Sequence, residues 1–415
     1  MNVEQSGIGS KTQLLAKSIE SDFIHSDSSA FMFQKSFLNY HHFGIDINPI
    51  TEFKDILWGS TTNIPIPHEK QHMIKNLWLN IKLPSLNQNL ANSTYVHYVN
   101  NLGYNIIKNV HYKIDDQIID SYSGLYLYIL HNMESSTNHL NSLYNLTSTH
   151  IADNGMNGNF QNVFIPIPLW HSKTLQQYFP LLSITNQKLT LQIEFEKYEN
   201  LITSDGDITN VSLQLKTTAK KVFTLLNVHN LNILDSNNNI ISNRFSFNLY
   251  IDYIIVNDIE RDIFLKNEHS FTFPTHEKQV YFMKNNIEHI DLQFSFPVKQ
   301  IIFVITSHEF NDFTFKSFST ARFILSDTYM NYYSPDYFSS IQDYYHNFSI
   351  NNNNIFSFNF SLNSFIGEPN GFIHFGKLKN KVLEIHGAQN NFIHIFARSI
   401  NVLNISNGFG NLLFT

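Results

Sequence analysis

Apolar residues recur at every second position in stretch after stretch of this 415-residue chain. Phe245, Phe247, Leu249, Ile251, Tyr253 and Ile255 do so without a break, as do Leu77, Leu79, Ile81 and Leu83, which stop at Pro84. Leu189, Leu191, Ile193 and Phe195 alternate with Thr190, Gln192 and Glu194, and the spacing returns at Val211, Leu213 and Leu215 and at Ile290, Leu292, Phe294 and Phe296. A period of two sends successive side chains to opposite faces of a strand, so each stretch predicts one face in a core and one towards polar surroundings. From Phe356 to Leu362, Phe356, Phe358, Phe360 and Leu362 are expected inside, and Ser357, Asn359 and Ser361 on a wet face. Gly367 to Gly371 then supply a turn, because Pro369 presets φ and Asn370 or Gly371 tolerates positive φ. The apolar run resumes at Phe372, which makes a β-hairpin or a tight corner.

Composition agrees with sheets. The chain holds 37 Phe and 20 Tyr, residues that suit pleated, half-buried surfaces. Its length exceeds what one hydrophobic core usually serves, so two domains of about two hundred residues are expected. A net charge of -7 with 15% charged residues leaves no polycationic surface, which argues against wrapping nucleic acid. With no Cys there are no disulfides and no thiolate chemistry, so stability must come from packing and association. No stretch has the length of a membrane-spanning helix or the form of a secretory signal, and the reading is of a soluble chain made in the cytoplasm. The sequons at Asn92, Asn145, Asn210, Asn347, Asn359 and Asn404 are expected by chance in so Asn-rich a sequence. Residues 1 to 27 carry Leu14, Leu15, Ser18 and Ile19 at helical spacing, enough for a short amphipathic helix or an arm. Leu125 to Met133 reads as a short helix, and the polar stretch from Ser135 to Asn159 as an inserted surface loop.

One motif argues for an enzyme. His68, Glu69, Lys70, Gln71 and His72 satisfy HExxH, which binds zinc only on a helix that brings both imidazoles to one face. Pro65 and Pro67 precede it and strand alternation follows from Leu77; Lys75 and Trp78 stand where the extended motif needs Gly and a third His. An exposed loop with two His is the preferred reading. His41 and His42 with His386 or His394 form no spacing that requires a cluster. Asp258, Glu260, Arg261 and Asp262 read as an ion-paired turn holding one sandwich against its neighbour rather than as a carboxylate site. The chain lacks a Gly-rich phosphate loop and a GxSxG elbow. No catalytic, cofactor-binding or metal-binding residue is assigned.

Several blocks resemble, in order along nearly the whole chain, the major capsid proteins of large nucleocytoplasmic DNA viruses. IFSFNFSL, EPNG and HFGKLKNKVL are similar to that family's "IYxYSFAL", "QPSG" and "NFSxIDNAxL". LWLNIKLPSL resembles "LxVxLPxL", FIPIPLW resembles "YVPLPFWF", and NDIERDIF resembles "LDxxERxxF" with Glu260 and Arg261 as the matching pair. The stretch from Tyr98 to Gly124 resembles "WxNNxGxAxIxxVxxxIGGxxIDxxxG" at Asn101, Gly103, Ile107, Val110, Ile114, Ile119, Asp120 and Gly124. Asp115 and Asp116 replace the paired glycines there, and Asp accepts the left-handed geometry of a hairpin better than most residues. FMFQKSFLNYHHF resembles the family's first aromatic strand, and SINVLNISNGFGNLLFT its closing one.

The resemblance implies an all-β double jelly roll, two eight-stranded antiparallel β-sandwiches with short helices in loops. It divides the chain into an N-terminal arm at 1–27, a first jelly roll at 28–225 and a second at 226–415. The implied function is structural: a major capsid protein whose homotrimers are pseudo-hexameric capsomers of an icosahedral virion shell, assembled in the host cytoplasm. Implied partners are neighbouring capsomers, minor capsid and penton proteins, and an inner membrane met by the arm. A scaffold of the same fold that shapes an immature membrane, a glycan-binding attachment β-sandwich and, third, a zinc hydrolase remain as alternatives.

Overall fold

The computed structural model describes residues 43–67, 73–83, 96–135, 137–147, 161–172, 177–204, 244–309, 313–326, 328–346, 354–364 and 370–414. The strands up to Val256 are β1 (Phe43–Leu57), β2 (Thr61–Pro65), β3 (Met73–Leu83), β4 (Val96–Tyr98), β5 (Ile107–Ile114), β6 (Gln117–Ser123), β7 (Gln161–Ile167), β8 (Leu189–Phe195), β9 (Ile202–Ser204) and β10 (Arg244–Val256). They build the sheets β1-β10-β3-β7 and β2-β8-β5-β6, with β4 and β9 paired separately. The helix Asp258–Lys266 leads into β11 (His269–Met283), β12 (Ile287–Asp291), β13 (Pro297–Thr306), β14 (Thr320–Leu325), β15 (Thr328–Tyr329), β16 (Phe356–Asn359), β17 (Ile373–His374), β18 (Lys381–His386), β19 (Asn391–Ser406) and β20 (Phe409–Leu412). These form β11-β19-β13-β16, flanked by β17 on β13 and β20 on β19, and β12-β18-β14-β15.

The two halves repeat one topology. Leaving aside β4, β9, β17 and β20, each half has eight strands among the described residues, and in both one sheet runs 1-8-3-6 and the other 2-7-4-5 in chain order. Eight antiparallel strands in two such sheets are a jelly roll. The chain is a double jelly roll, and the described helices lie in the connections.

The expected division near residue 225 does not separate the sheets. The 245–255 run, read as the start of the second series, is the last strand of the first: β10 lies between β1 and β3, with Ile45 opposite Ile254 and Leu79 opposite Leu249. A strand that returns beside the first of its set is placed by long-range pairing, which neighbouring sequence does not reveal. Residues 1–27 and 28–42, and the strand expected at 211–215, lie outside the described residues.

Local chemistry accounts for most elements. In β8 Leu189, Leu191, Ile193 and Phe195 are buried, while Thr190, Gln192 and Glu194 are partly exposed. The β5–β6 hairpin turns at Asp115, whose φ is +49° and whose carboxylate accepts from the Lys188 amide at 2.8 Å. The Leu125–Met133 helix is present as Gly124–Glu134, with Ser123 Oγ accepting from the Tyr126 amide at its start. The polar stretch after it is not all loop: Thr137–Leu146 is a helix, and Leu140 is buried on one side of it. Leu140, Leu143 and Tyr144 supply the i, i+3, i+4 spacing that its many Asn and Ser conceal.

The Phe356–Leu362 run departs further from its pattern. Only Phe356–Asn359 pairs as a strand; Ser357, Asn359 and Ser361 are buried, whereas Leu362 is 79% exposed. The side expected to be wet is closed by polar groups. Gln342 Oε1 accepts from the Asn359 amide at 3.0 Å, and Ser364 Oγ donates to Asn359 Oδ1 at 2.5 Å. After it, β17 pairs with β13 rather than with β16, which makes the connection a corner and not a hairpin.

Sheet β11-β19-β13-β16 is covered on both faces. Every residue of β13 is buried: Val298, Ile301, Phe303 and Ile305 face the second sandwich's own core, while Ile302 and Val304 join a core continuous with the first. Alternation fails there because both sides are inside.

Gly124 sits where β6 becomes helix. A β-carbon there would run into the carbonyl oxygens of Tyr104 and Ile107. Gly124→Ala is expected to cost about 2 kcal/mol or more through forced backbone shifts, read as a lowered unfolding midpoint in calorimetry.

Candidate functional site

Among the described residues, those that suggested chemistry do not assemble into a reactive centre. His41, His42 and the His68–His72 motif lie outside the described residues. Lys75 Nζ donates to the His171 and Gln177 carbonyls at 3.1 Å each, and Trp78 stacks on Tyr250 at 4.2 Å. His386 and His394 stand in different sheets; the first contacts Glu384 at 2.9 Å and the second Thr306 Oγ1 at 3.1 Å. Asp258, Glu260, Arg261 and Asp262 lie not in a turn but in a helix capped by Asn257, whose Oδ1 accepts from the Glu260 amide. The ion pair of Lys266 with Asp262 is exposed and lies within the helix, not between sandwiches. Among the described residues no three His, Asp or Glu side chains are placed to hold a metal.

What the structure does concentrate is contact between its halves. Asp120, on β6, is buried against β11: its Oδ1 accepts from His276 Nδ1 at 2.9 Å and its Oδ2 from the Tyr122 hydroxyl at 2.5 Å. Burial first, and the Asp120 charge second, push the Tyr122 hydroxyl well above its usual range, so Tyr122 remains the donor. Arg398, 1% exposed on β19, pairs with Glu134 at the end of the Gly124–Glu134 helix at 3.0 Å. Tyr126 from the same helix stacks on Phe396 at 4.8 Å. The C-terminal hairpin is a second tie: the Asn186 amide donates to the Gly408 carbonyl at 3.1 Å and the Gly410 amide to Gln187 Oε1 at 2.7 Å. Each partner pair is far apart in the chain, so no sequence pattern joins them; Asp120 is legible only as part of a motif.

The outer face of β12-β18-β14-β15 carries a separate charged cluster. Glu384 lies opposite His289 on one side and Arg322 on the other. Arg322 Nε and Nη2 reach Glu384 Oε2 at 2.8 and 2.7 Å, while Oε1 accepts from the Tyr332 hydroxyl at 2.6 Å and lies 2.9 Å from His386 Nε2. Arg322 is also set over the Tyr332 ring at 4.1 Å. Burial alone would raise the Glu384 pKa; hydrogen bonds from Tyr332, His386 and Arg322 together outweigh it and hold the carboxyl at about 2.

The first sandwich's counterpart of the doubly covered sheet β11-β19-β13-β16 is β1-β10-β3-β7, and among the described residues its outer face is not covered over all its length. On β1-β10-β3-β7 Trp78, Tyr250 and Phe164 form a half-buried aromatic group, and Ile45 and Ile47 are 64% and 58% exposed.

Residues 31–257, which hold the first jelly roll, match the family described as major capsid protein N-terminus. The chain belongs to the major capsid protein family. This capsid protein is 20% identical over 350 residues to the major capsid protein of Pyramimonas orientalis virus, covering 75% of this chain and 77% of that one. It is 23% identical over 201 residues to probable capsid protein 4 of Acanthamoeba polyphaga mimivirus, covering 46% of this chain and 38% of that longer one. In fold it is similar to the solved structure of PBCV-1 VP54, with a TM-score of 0.74 at 14% identity over 93% of this chain and all of that one. As a capsid protein the chain is structural and not an enzyme, and the contacts between its sandwiches and on their faces are its functional chemistry.

Two consequences can be measured. Asp120→Ala leaves His276 and Tyr122 buried without their common acceptor, and breaking a buried pair costs about 3–5 kcal/mol; calorimetry should show a lower midpoint or two separate transitions. Glu384 has a lowered pKa, so its stabilisation is complete above the ordinary carboxylate range near pH 4.5 and is lost as the pH falls towards 2. Melting temperatures measured across that window should fall in the parent protein and vary less in Glu384→Gln.

Proposed function

We propose that three copies of this capsid protein associate as a homotrimeric capsomer of pseudo-sixfold outline, and that such capsomers tile an icosahedral virion shell. The observation that carries this reading is the repeated strand order, 1-8-3-6 with 2-7-4-5, in both halves. One chain offers two similar sandwiches side by side, so three chains in a ring offer six. A lattice position with six neighbours is then met by a single gene product, at the symmetry cost of a trimer. In this reading the arm at residues 1–27 points to an inner membrane, and the first jelly roll begins near residue 28. The junction to the second falls in the helical segment after Val256. Neighbouring capsomers, minor capsid proteins and penton proteins are the partners, and assembly takes place in the host cytoplasm.

Specific association between copies needs roughly 1,000 Å² of buried surface or more. Sedimentation or native mass measurement of the full chain should give three times its 48.3 kDa mass. Electron microscopy of the same material should show particles of hexagonal outline. A monomer at micromolar concentration, or trimers without that outline, would overturn the proposal; presence in immature but not mature particles would assign the chain to scaffolding instead.

A further inference from the structure

Within one chain, the first jelly roll covers the outer face of the second one's 1-8-3-6 sheet, and it does so with a particular element. The connection between strands five and six of the first jelly roll contains the helix Gly124–Glu134, from which Tyr126 lies on Phe396 of strand eight. Phe396 is registered beside Ile302 of strand three. In the first jelly roll the same face of the same sheet places Tyr250 of strand eight beside Trp78 of strand three, stacked at 4.2 Å. That aromatic pair is half-buried, and Ile45 and Ile47 on the adjoining strand are mostly exposed.

The second jelly roll also owns the element that covers its counterpart. Its connection between strands five and six is helical from Tyr337 to His346. Phe338 and Gln342 point into the second sandwich, but Ile341, Tyr344 and Tyr345 are 47%, 76% and 73% exposed. In the first jelly roll the corresponding helix is buried almost throughout. Among the described residues, one half of the chain therefore presents an apolar sheet face without its helix, and the other half presents the helix without its sheet face.

We infer that the helix Tyr337–His346 of one copy docks on the outer face of β1-β10-β3-β7 of a second copy, seating Tyr344 and Tyr345 against Trp78, Tyr250, Ile45 and Ile47. This inference rests on the trimeric reading above and names the surfaces that make it. The contact repeats between chains what the Gly124–Glu134 helix makes within one. Because the two surfaces are different patches, the association is head-to-tail, and a ring closes when the rotation returns to the start. Alternating in-chain and between-chain contacts of one kind supply the sixfold likeness. Tyr and Trp give large, semi-rigid contact area, as is common at the centre of protein interfaces.

The absence of cysteine from the sequence makes a direct test clean. Ile47→Cys protein mixed with Tyr345→Cys protein and oxidised with copper phenanthroline should give a disulfide-linked pair of chains, whereas either variant with the parent should not. Tyr345→Glu and Trp78→Glu should each lower the trimer fraction at least tenfold in sedimentation, while Ile287→Glu, on the far edge strand β12, should leave it unchanged. Far-ultraviolet dichroism and melting of each variant monitor folding, and the cross-link does not depend on the glutamate variants folding. A parent that is trimeric, with trimeric glutamate variants and no mixed disulfide, overturns the inference and leaves the trimeric reading standing. A monomeric parent overturns both.

Discussion

A sheet covered on both faces is the constraint on which the rest of the structure depends. β11-β19-β13-β16 faces its own sandwich with Val298, Ile301, Phe303 and Ile305 and the first sandwich with Ile302, Val304, Phe396 and Phe273. At about 25 cal/mol per Å² of apolar surface removed from water, the second set of contacts makes the junction part of the core rather than a hinge. The C-terminal hairpin reinforces it, since Asn186 and Gln187 of the first half bind the Gly408 to Gly410 backbone of the second.

Placing ionised and polar groups in such a junction opposes simple burial. Asp120 with His276, and Arg398 with Glu134, lose hydration that their attraction only partly restores. What they add is orientation. An apolar sheet face accepts a helix at several rotations, whereas a carboxylate that must meet both a ring nitrogen and a phenol, with a guanidinium on the next strand, accepts one. Even the chemistry of the surface follows this rule: Glu384 holds Arg322, Tyr332 and His386 together across three segments and fixes the outer face of β12-β18-β14-β15.

The sequence made the fold legible wherever one strand face was buried and the other was not. β8 and β3 are read directly from alternation, and the β5–β6 turn from two aspartates that tolerate left-handed geometry. Where both faces are buried, as in β13, the pattern turns into a continuous apolar run and loses its period. Where polar side chains satisfy one another, as Asn359, Ser361 and Ser364 do, a pattern that predicts water encloses a network instead. Chain order also misassigned β10, because the last strand of a jelly roll pairs with the first and third. The contacts that hold the halves together were not legible at all: Asp120 and His276 are 156 residues apart, and neither carries a local signal of its partner.

The two halves share a topology but not a surface, and that asymmetry would separate folding of one chain from the association proposed between copies. A chain of two identical sandwiches would place the same patches on both, and copies would pair through them before or instead of the in-chain contact. Here the in-chain face is distinguished by buried ionic partners: Arg398 beside Phe396 has Glu134 to meet it. The matching position on the first sandwich carries Asp252, which accepts from Asn76 Nδ2 at 2.8 Å on its own sheet and leaves the aromatic group beside it. The polar pairs on the second sandwich select the covalently linked partner, whose effective concentration is already high. The face of the first sandwich keeps its aromatic and aliphatic groups and carries at that position a carboxylate in place of a guanidinium, so it offers Glu134 no cation there. In the proposed trimer repetition of the fold would provide the sixfold likeness, while divergence of a few outward residues decides which contact belongs within the chain.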